Sequence, residues 1–212
     1  MFYGDLRALT FVNAWSTRTA AFFSAVLFNG FGMNHSMGFA LRVAVAGDEQ
    51  SVCELLRRSI AEGCAPDHRD HPTVLDNWLS NKTPQNVRTW LGSPSNYMVV
   101  ADSGTALIGV ALLNQAGKLA LCYVDPAAVR QGIGSAMLAA VEAQARSWSI
   151  SKLHLHSPVS AAGFFARLGY VDGGKEKACY GLECDLYWKP LNAQPGACPA
   201  DARARFCNCN PQ

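Results

Sequence analysis

The residues best suited to chemistry in this chain lie in the run Asp125-Pro126-Ala127-Ala128-Val129-Arg130-Gln131-Gly132-Ile133-Gly134-Ser135. Two glycines at the start of an alanine-rich helical stretch put backbone N–H groups where no intrahelical acceptor exists. Such a start also carries the positive end of the helix dipole, so the run predicts a cradle for a phosphate-like anion. Gly132 and Gly134 suit that task because a side chain at either would hold the anion away. Arg130 would add a charge-assisted contact. The spacing lacks the GxxxxGKS/T of a P-loop, and no GxGxxG is followed by an acidic residue about twenty positions on, which argues against nucleoside triphosphates and dinucleotides. On the pattern alone, a glycine turn that only packs helix on sheet is an equal alternative.

A second polar cluster, Asp67, His68, Asp70 and His71, lies between Gly63 and Lys82. A His–Asp group of this kind can bind a metal, supply a general base or cap helices around Pro66 and Pro72. With no second ligand cluster elsewhere, metal is the weakest reading and none is expected. Capping accounts for most of the cluster, with His68 or His71 facing a ligand pocket as the functional option. Glu54, Glu62 and Asp67 are further candidate bases. The eight cysteines, Cys53, Cys64, Cys122, Cys179, Cys184, Cys198, Cys207 and Cys209, show no paired CxxC spacing. They read as free thiols of a reducing compartment, with Cys122 packing as a small hydrophobe.

The elements that must position these residues follow from periodicity. Leu119–Val124 is a continuous apolar run, read as a strand buried on both faces and stopped by Asp125-Pro126. Before it, Tyr97–Ala101 and Ala106–Leu113 form strands joined by short turns, which predicts an antiparallel meander feeding the cradle helix. Ahead of the meander, Ala40–Val45 is a short strand. Asp48 caps a helix with Val52, Leu55, Leu56 and Ile60 on one face, and Thr83-Pro84 starts another carrying Val87, Trp90 and Leu91. After the cradle helix, Lys152–His156 alternates like a half-buried strand, and Ser157–Tyr170 is a short helix closed by Gly169. Strands at about 175–180 and 183–188 complete the set.

The order hydrophobic strand, Val124-Asp125-Pro126, basic segment, Gly-Ile-Gly and alanine-rich helix resembles motif A of the GNAT superfamily of acyl-CoA N-acyltransferases. Ala161, Phe164, Phe165, Gly169 and Tyr170 resemble its motif B. Within the superfamily the double phenylalanine, the late Gly-Leu hairpin and the pair before the glycine resemble the YafP-like bacterial branch. The resemblance implies an α/β (α+β) GNAT fold: a central mixed, mostly antiparallel sheet of six to seven strands flanked by helices. It also implies transfer of an acetyl group from acetyl-CoA, as co-substrate, to a primary amine of a small molecule or peptide by direct attack.

On the same grounds Tyr123, Val124, Val129, Arg130, Gln131, Gly132, Ile133, Gly134, Ser135, Ser157, Phe164 and Phe165 are expected at the coenzyme site. Irregular strand geometry near Cys122–Val124 would hold the acetyl and pantetheine arm. Two positions depart from the family pattern. Val129 stands where a polar side chain contacts phosphate, and Phe165 stands where many members carry the tyrosine that protonates the leaving thiolate. Tyr123, Tyr180 and His68 are therefore the candidate catalytic side chains. Phe165 also keeps a second reading open, a catalytically silent acyl-CoA-binding or regulatory module.

At 212 residues with half of them hydrophobic, the chain is long enough for one well-cored domain with extensions. A formal charge of +2 with no basic block argues against nucleic acid. The uncharged run from Thr19 to Met33 is short and broken by Asn29, Gly30 and Gly32, which argues against a membrane span. The expected organisation is an N-terminal extension over 1–37, poorly ordered or a mis-assigned start, an acetyltransferase domain over 38–190, and a disordered tail over 191–212. A cytoplasmic monomer or homodimer is expected.

Overall fold

Period-2 alternation builds the centre of the protein. In β2 (Asn96–Asp102) and β3 (Leu107–Asn114), Val99, Ala101, Ala111 and Leu113 pack toward one face, and Met98, Val100, Val110 and Leu112 toward the other. These strands lie between β1 (Ala40–Val43) and β4 (Leu119–Val124) in an antiparallel sheet of order β1-β2-β3-β4. In the computed structural model the described residues are 38–69, 71–177 and 183–191. The expectations for segments 1–37 and 192–212, for Asp70, for Tyr180 and for four of the cysteines (Cys179, Cys198, Cys207, Cys209) fall outside them.

The face of Met98, Val100, Val110 and Leu112 is covered by α1 (Glu49–Arg58), which buries Val52, Leu55 and Leu56, and by α4 (Pro84–Gly92), which buries Val87. The α4 start is capped as expected, with Thr83 Oγ1 accepting from the Asn86 N–H at 3.2 Å. Asp48 precedes α1 but does not cap it. Both of its oxygens are taken by Arg42, at 2.7 and 2.9 Å, and by the Val45 N–H. After α1 the chain makes one wide π turn, Ser59–Gly63, and continues through α2 (Ala65–His68) and α3 (Pro72–Leu79). Neither of these two helices has a side-chain cap. Asp67 instead accepts from the Ser160 N–H and hydroxyl across the molecule.

The opposite face is covered by α5 (Ile133–Ser147), whose Ile133, Met137, Leu138, Val141 and Ala145 are buried. Its close approach to β3 requires glycine at 109, where a Cβ would lie 2.8 Å from Ile133 Cγ2. Beyond it come β5 (Lys152–Ser157), α6 (Ala162–Arg167), β6 (Val171–Lys177) and β7 (Glu183–Pro190). β6 starts earlier than the sequence suggests, because Gly173-Gly174 forms a bulge inside the strand rather than a break before it.

The mixed α/β architecture with antiparallel strands flanked by helices is as expected, but the strands do not form one sheet. Among the described residues, a second antiparallel sheet of order β5-β7-β6 joins the first through a parallel bridge between Lys118 and His154, with the His154 N–H donating to the Gly117 carbonyl at 2.9 Å. The cause lies in β4. Leu121 stands opposite Leu112, yet Leu119 stands opposite Leu113, so Ala120 is an extra, bulged residue. The bulge flips the strand's parity: Leu119 packs with α5 while Leu121 packs with α1. From there β4 and β5 diverge, each with one edge unpaired among the described strands.

Candidate active site

The divergence leaves a cavity of about 620 Å³, within the range of small-molecule sites. One side is the free edge of β4, with Ala120, Cys122, Tyr123 and Val124; the other is β5, with Leu155 and His156. The turn after β4, the first turn of α5, and Phe164, Phe165 and Arg167 of α6 complete the lining. This is why β4 is not buried on both faces: Cys122, Tyr123 and Val124 are half-buried because one side meets the cavity. The strand irregularity expected near Cys122–Val124 occurs instead at Ala120.

The turn is shaped for an anion. Asp125 ends β4, accepting from the Ala127 N–H at 2.9 Å, and a single 3-10 turn follows over Pro126–Ala128. Arg130 has φ +64° and Gly132 φ +82°, so the backbone turns back on itself before α5 begins. The N–H groups of Ile133, Gly134 and Ser135 head the helix and have no acceptor within it. Arg130 and Arg167 line the cavity and, among the described residues, no Asp or Glu does, so its field favours a negatively charged ligand.

Of the residues expected at the coenzyme site, Tyr123, Val124, Val129, Arg130, Gly132, Ile133, Gly134, Ser135, Phe164 and Phe165 line this one cavity. Gln131 is exposed outside it. Ser157 is fully buried and donates to the Pro158 carbonyl at 2.9 Å, because strand alternation turns it to the α5 side with Leu153 and Leu155. Gly134 has a reason beyond the anion: a Cβ there would sit 2.9 Å from Phe164 Cζ, so glycine lets α6 lie against the start of α5. Phe165 is only 5% exposed and stacks on Tyr187 and edge-on to Tyr170, which makes it a core residue as well as a cavity wall.

The catalytic candidates separate. Tyr123 lines the cavity, and its hydroxyl accepts from the Trp78 indole N–H at 3.3 Å. His68 does not line it; buried in the helical wall, it holds the π turn through Nε2 and the Ala61 carbonyl at 3.2 Å. Sequence reasoning missed Ser59, Cys64 and His156. Ser59 Oγ donates to the Val124 carbonyl at 3.0 Å, and the Arg58 guanidinium pairs with Asp125, so the helical wall is fastened to the end of β4. Burial pushes the thiols of Cys64 and Cys122 up to about 12, for Cys64 with help from nearby Asp67.

The family model for the acetyltransferase (GNAT) domain matches residues 64–184, more than half of the chain. The chain belongs to the GNAT acetyltransferase family. It is therefore an acyltransferase, and the family inferred from the two motifs is shown. No curated protein matches the sequence. A GCN5-related N-acetyltransferase from Rhodopseudomonas palustris is similar in structure, with a TM-score of 0.65 and 20% identity over 72% of this chain and 95% of that one. PaiA N-acetyltransferase from Thermoplasma acidophilum, in complex with coenzyme A, has a TM-score of 0.58 and 16% identity over 72% of this GNAT chain and 98% of its own. YncA from Salmonella typhimurium, with its cofactor acetyl-CoA, has a TM-score of 0.52 and 19% identity over 76% and 99%. At these identities the likeness is one of fold. Among the described residues no helix is long and apolar enough to cross a membrane, and no group of three His, Cys, Asp or Glu residues is placed to hold a metal.

Proposed function

We propose that this GNAT protein transfers the acetyl group of acetyl-CoA directly to a primary amine of a small molecule or peptide. The observation that carries the reading is the joint geometry of the cavity: a strand edge with no partner strand among the described residues, leading to a helix start whose first N–H groups lie outside the intrahelical ladder. The turn from Arg130 to Ser135 suits the pyrophosphate, with Arg130 as a charged contact and Val129 contributing backbone only. The free edge of β4 offers amide partners to the extended pantetheine arm, as an edge strand does to any extended chain. PaiA and YncA, crystallised with coenzyme A and acetyl-CoA, share this fold.

Direct attack is favoured over a cysteine-linked acyl intermediate. Cys64 and Cys122 line the cavity, but with thiols pushed up to about 12 they carry almost no thiolate at neutral pH, and thiolate is the nucleophile. Phe165 offers no proton to the departing sulfur. A thiol ordinarily titrates near about 8.5, so its thiolate is a workable leaving group.

Ser135→Glu tests the coenzyme site. Ser135 is exposed in the first turn of α5 and lines the cavity, so a carboxylate there suits the helix dipole yet repels a pyrophosphate. At 100-fold excess over Kd, acetyl-CoA should stabilise the wild type by about 2.7 kcal/mol. The variant should unfold at the same temperature or slightly higher without ligand and gain little with it. Equal ligand-induced shifts in thermal unfolding for the two proteins would remove acetyl-CoA from this turn.

A further inference from the structure

Resting on the acetyl-transfer reading above, we propose that His156 is the base that takes the proton of the acceptor amine, with Glu176 as its positioning residue. His156 lies on β5 with its side chain on the face opposite buried Leu153, Leu155 and Ser157, and it lines the cavity. Its Nε2 is 2.7 Å from Glu176 Oε2. In sheet register His156 stands opposite Leu186 of β7 and Glu176 stands opposite Cys184, so the pair reaches diagonally across the central strand. A carboxylate bonded at Nε2 keeps the neutral ring's proton there and leaves the Nδ1 lone pair as the basic site.

The other polar groups of the cavity are poor bases. Arg130 and Arg167 stay protonated, and Cys64 and Cys122 are held as thiols. Tyr123 is a phenol whose oxygen already accepts from the Trp78 indole N–H. Among the described residues, His156 is the imidazole that lines the cavity, and a neutral imidazole is a proton acceptor. The step balances without any further reagent. The amine lone pair forms the C–N bond to the acetyl carbonyl carbon, and the C–S bond breaks with its electron pair on sulfur. The amine proton passes to Nδ1 and from there to the thiolate, which returns the imidazole to its starting state. Nothing is oxidised or reduced.

Two assays test this, with spermidine, lysine amide and an alanine-starting peptide as acceptor probes. Calorimetry with acetyl-CoA reads the cofactor site, and thiol release reads transfer. In His156→Gln, acetyl-CoA should bind within about threefold of wild type, while kcat with the best probe falls about 100-fold or more, the usual contribution of a positioned acid or base. Added imidazole should restore part of the rate in His156→Ala.

Glu176→Gln should move the acidic limb of kcat/KM to lower pH, because removing a carboxylate favours the neutral ring. A packing role would leave that limb in place. The charged groups around His156 are otherwise unchanged in these variants: Glu176 from β6, Asp185 from β7, His154 along β5, Lys118 at the head of β4 and Arg167 from α6. Acetyl-CoA binding with full turnover in His156→Gln overturns the proposal and leaves the acetyltransferase reading standing. Binding with no turnover of any probe by the wild type overturns it as well, and favours a silent acyl-CoA module. Loss of acetyl-CoA binding in the wild type overturns both readings.

Discussion

Lys82 shows how a single side chain can carry a measurable cost in this fold. It is 3% exposed, with its ammonium donating to the Trp78 carbonyl at 3.4 Å and to the Asn81 side-chain oxygen. Its carbonyl accepts from the Cys53 thiol at 3.1 Å and from Arg57, so the residue ties the α3–α4 connection to α1. Burial pushes the ammonium down from 10.5 to about 8. Below pH 8 the folded and unfolded states are both protonated and the full cost of burying the charge is carried. Between about 8 and 10.5 the folded state sheds the proton first, so stability rises with pH across that window. The rise is at most about 3 kcal/mol at 1.36 kcal/mol per unit. Urea unfolding of wild type and Lys82→Met at pH 7, 8.5 and 10 should show that the variant lacks this rise. Parallel pH profiles for the two would mean that the ammonium is hydrated. None of this was legible in the sequence, where Lys82 only marks the end of the polar segment that starts at Gly63. The same holds for His156, which alternation predicted on a half-exposed strand face without showing what lay opposite.

At the scale of elements, the helical wall is fastened to the end of β4 through the Arg58–Asp125 ion pair and the Ser59–Val124 hydrogen bond, beside the Trp78–Tyr123 bond. Arg58 and Ser59 fall at the entry to the π turn, where one extra residue redirects the chain toward the cavity. The sequence showed the apolar face of α1 through Ile60, because a 3.6-residue period is plain in Val52, Leu55 and Leu56. It did not show the π turn, since one extra residue leaves no mark in composition. Partial desolvation opposes ionisation of Asp125, but the Ala127 N–H and the Arg58 guanidinium outweigh it and hold the carboxyl below its usual 3.8. A carboxyl lowered in the folded state contributes stability that is present above the unfolded value and is lost as pH falls through the folded value. Arg58→Met should therefore lower stability at pH 7, by no more than about 1 kcal/mol given the exposure of the guanidinium. The difference from wild type should shrink to nothing as the pH falls below 3.8 and then through the folded value. A difference that persists undiminished at pH 2.5 in denaturant titrations would assign the effect to packing of the arginine stem.

For the whole molecule, the deciding feature is the vertex where the two sheets meet, and it was hidden in the sequence. The strands and their order were readable from alternation and turn residues. The parting of β4 from β5 was not, because Leu119–Val124 is apolar throughout, and a bulge at Ala120 is invisible where every position is already hydrophobic. Gly117 ends the short turn before β4. In the structure it lies at the vertex with φ +79°, and a Cβ there would fall 2.6 Å from the Lys152 carbonyl oxygen and 3.1 Å from Ile150 Cγ2. Its own carbonyl accepts the His154 N–H that joins the sheets. A side chain at 117 must push β5 away at the narrow end of the wedge. Gly117→Val should lower stability by about 2 kcal/mol or more, from the left-handed backbone together with the clash, and weaken acetyl-CoA binding in proportion to the altered opening. Gly117→Asn separates the two causes, because asparagine tolerates the positive φ but brings the same Cβ. If the close approach of the two strands sets the cavity, both variants lose affinity in calorimetry. If the dihedral alone matters, asparagine restores binding and valine does not. Wild-type affinity in both would mean that α5, which packs across the back of both sheets, fixes the opening without help from the vertex.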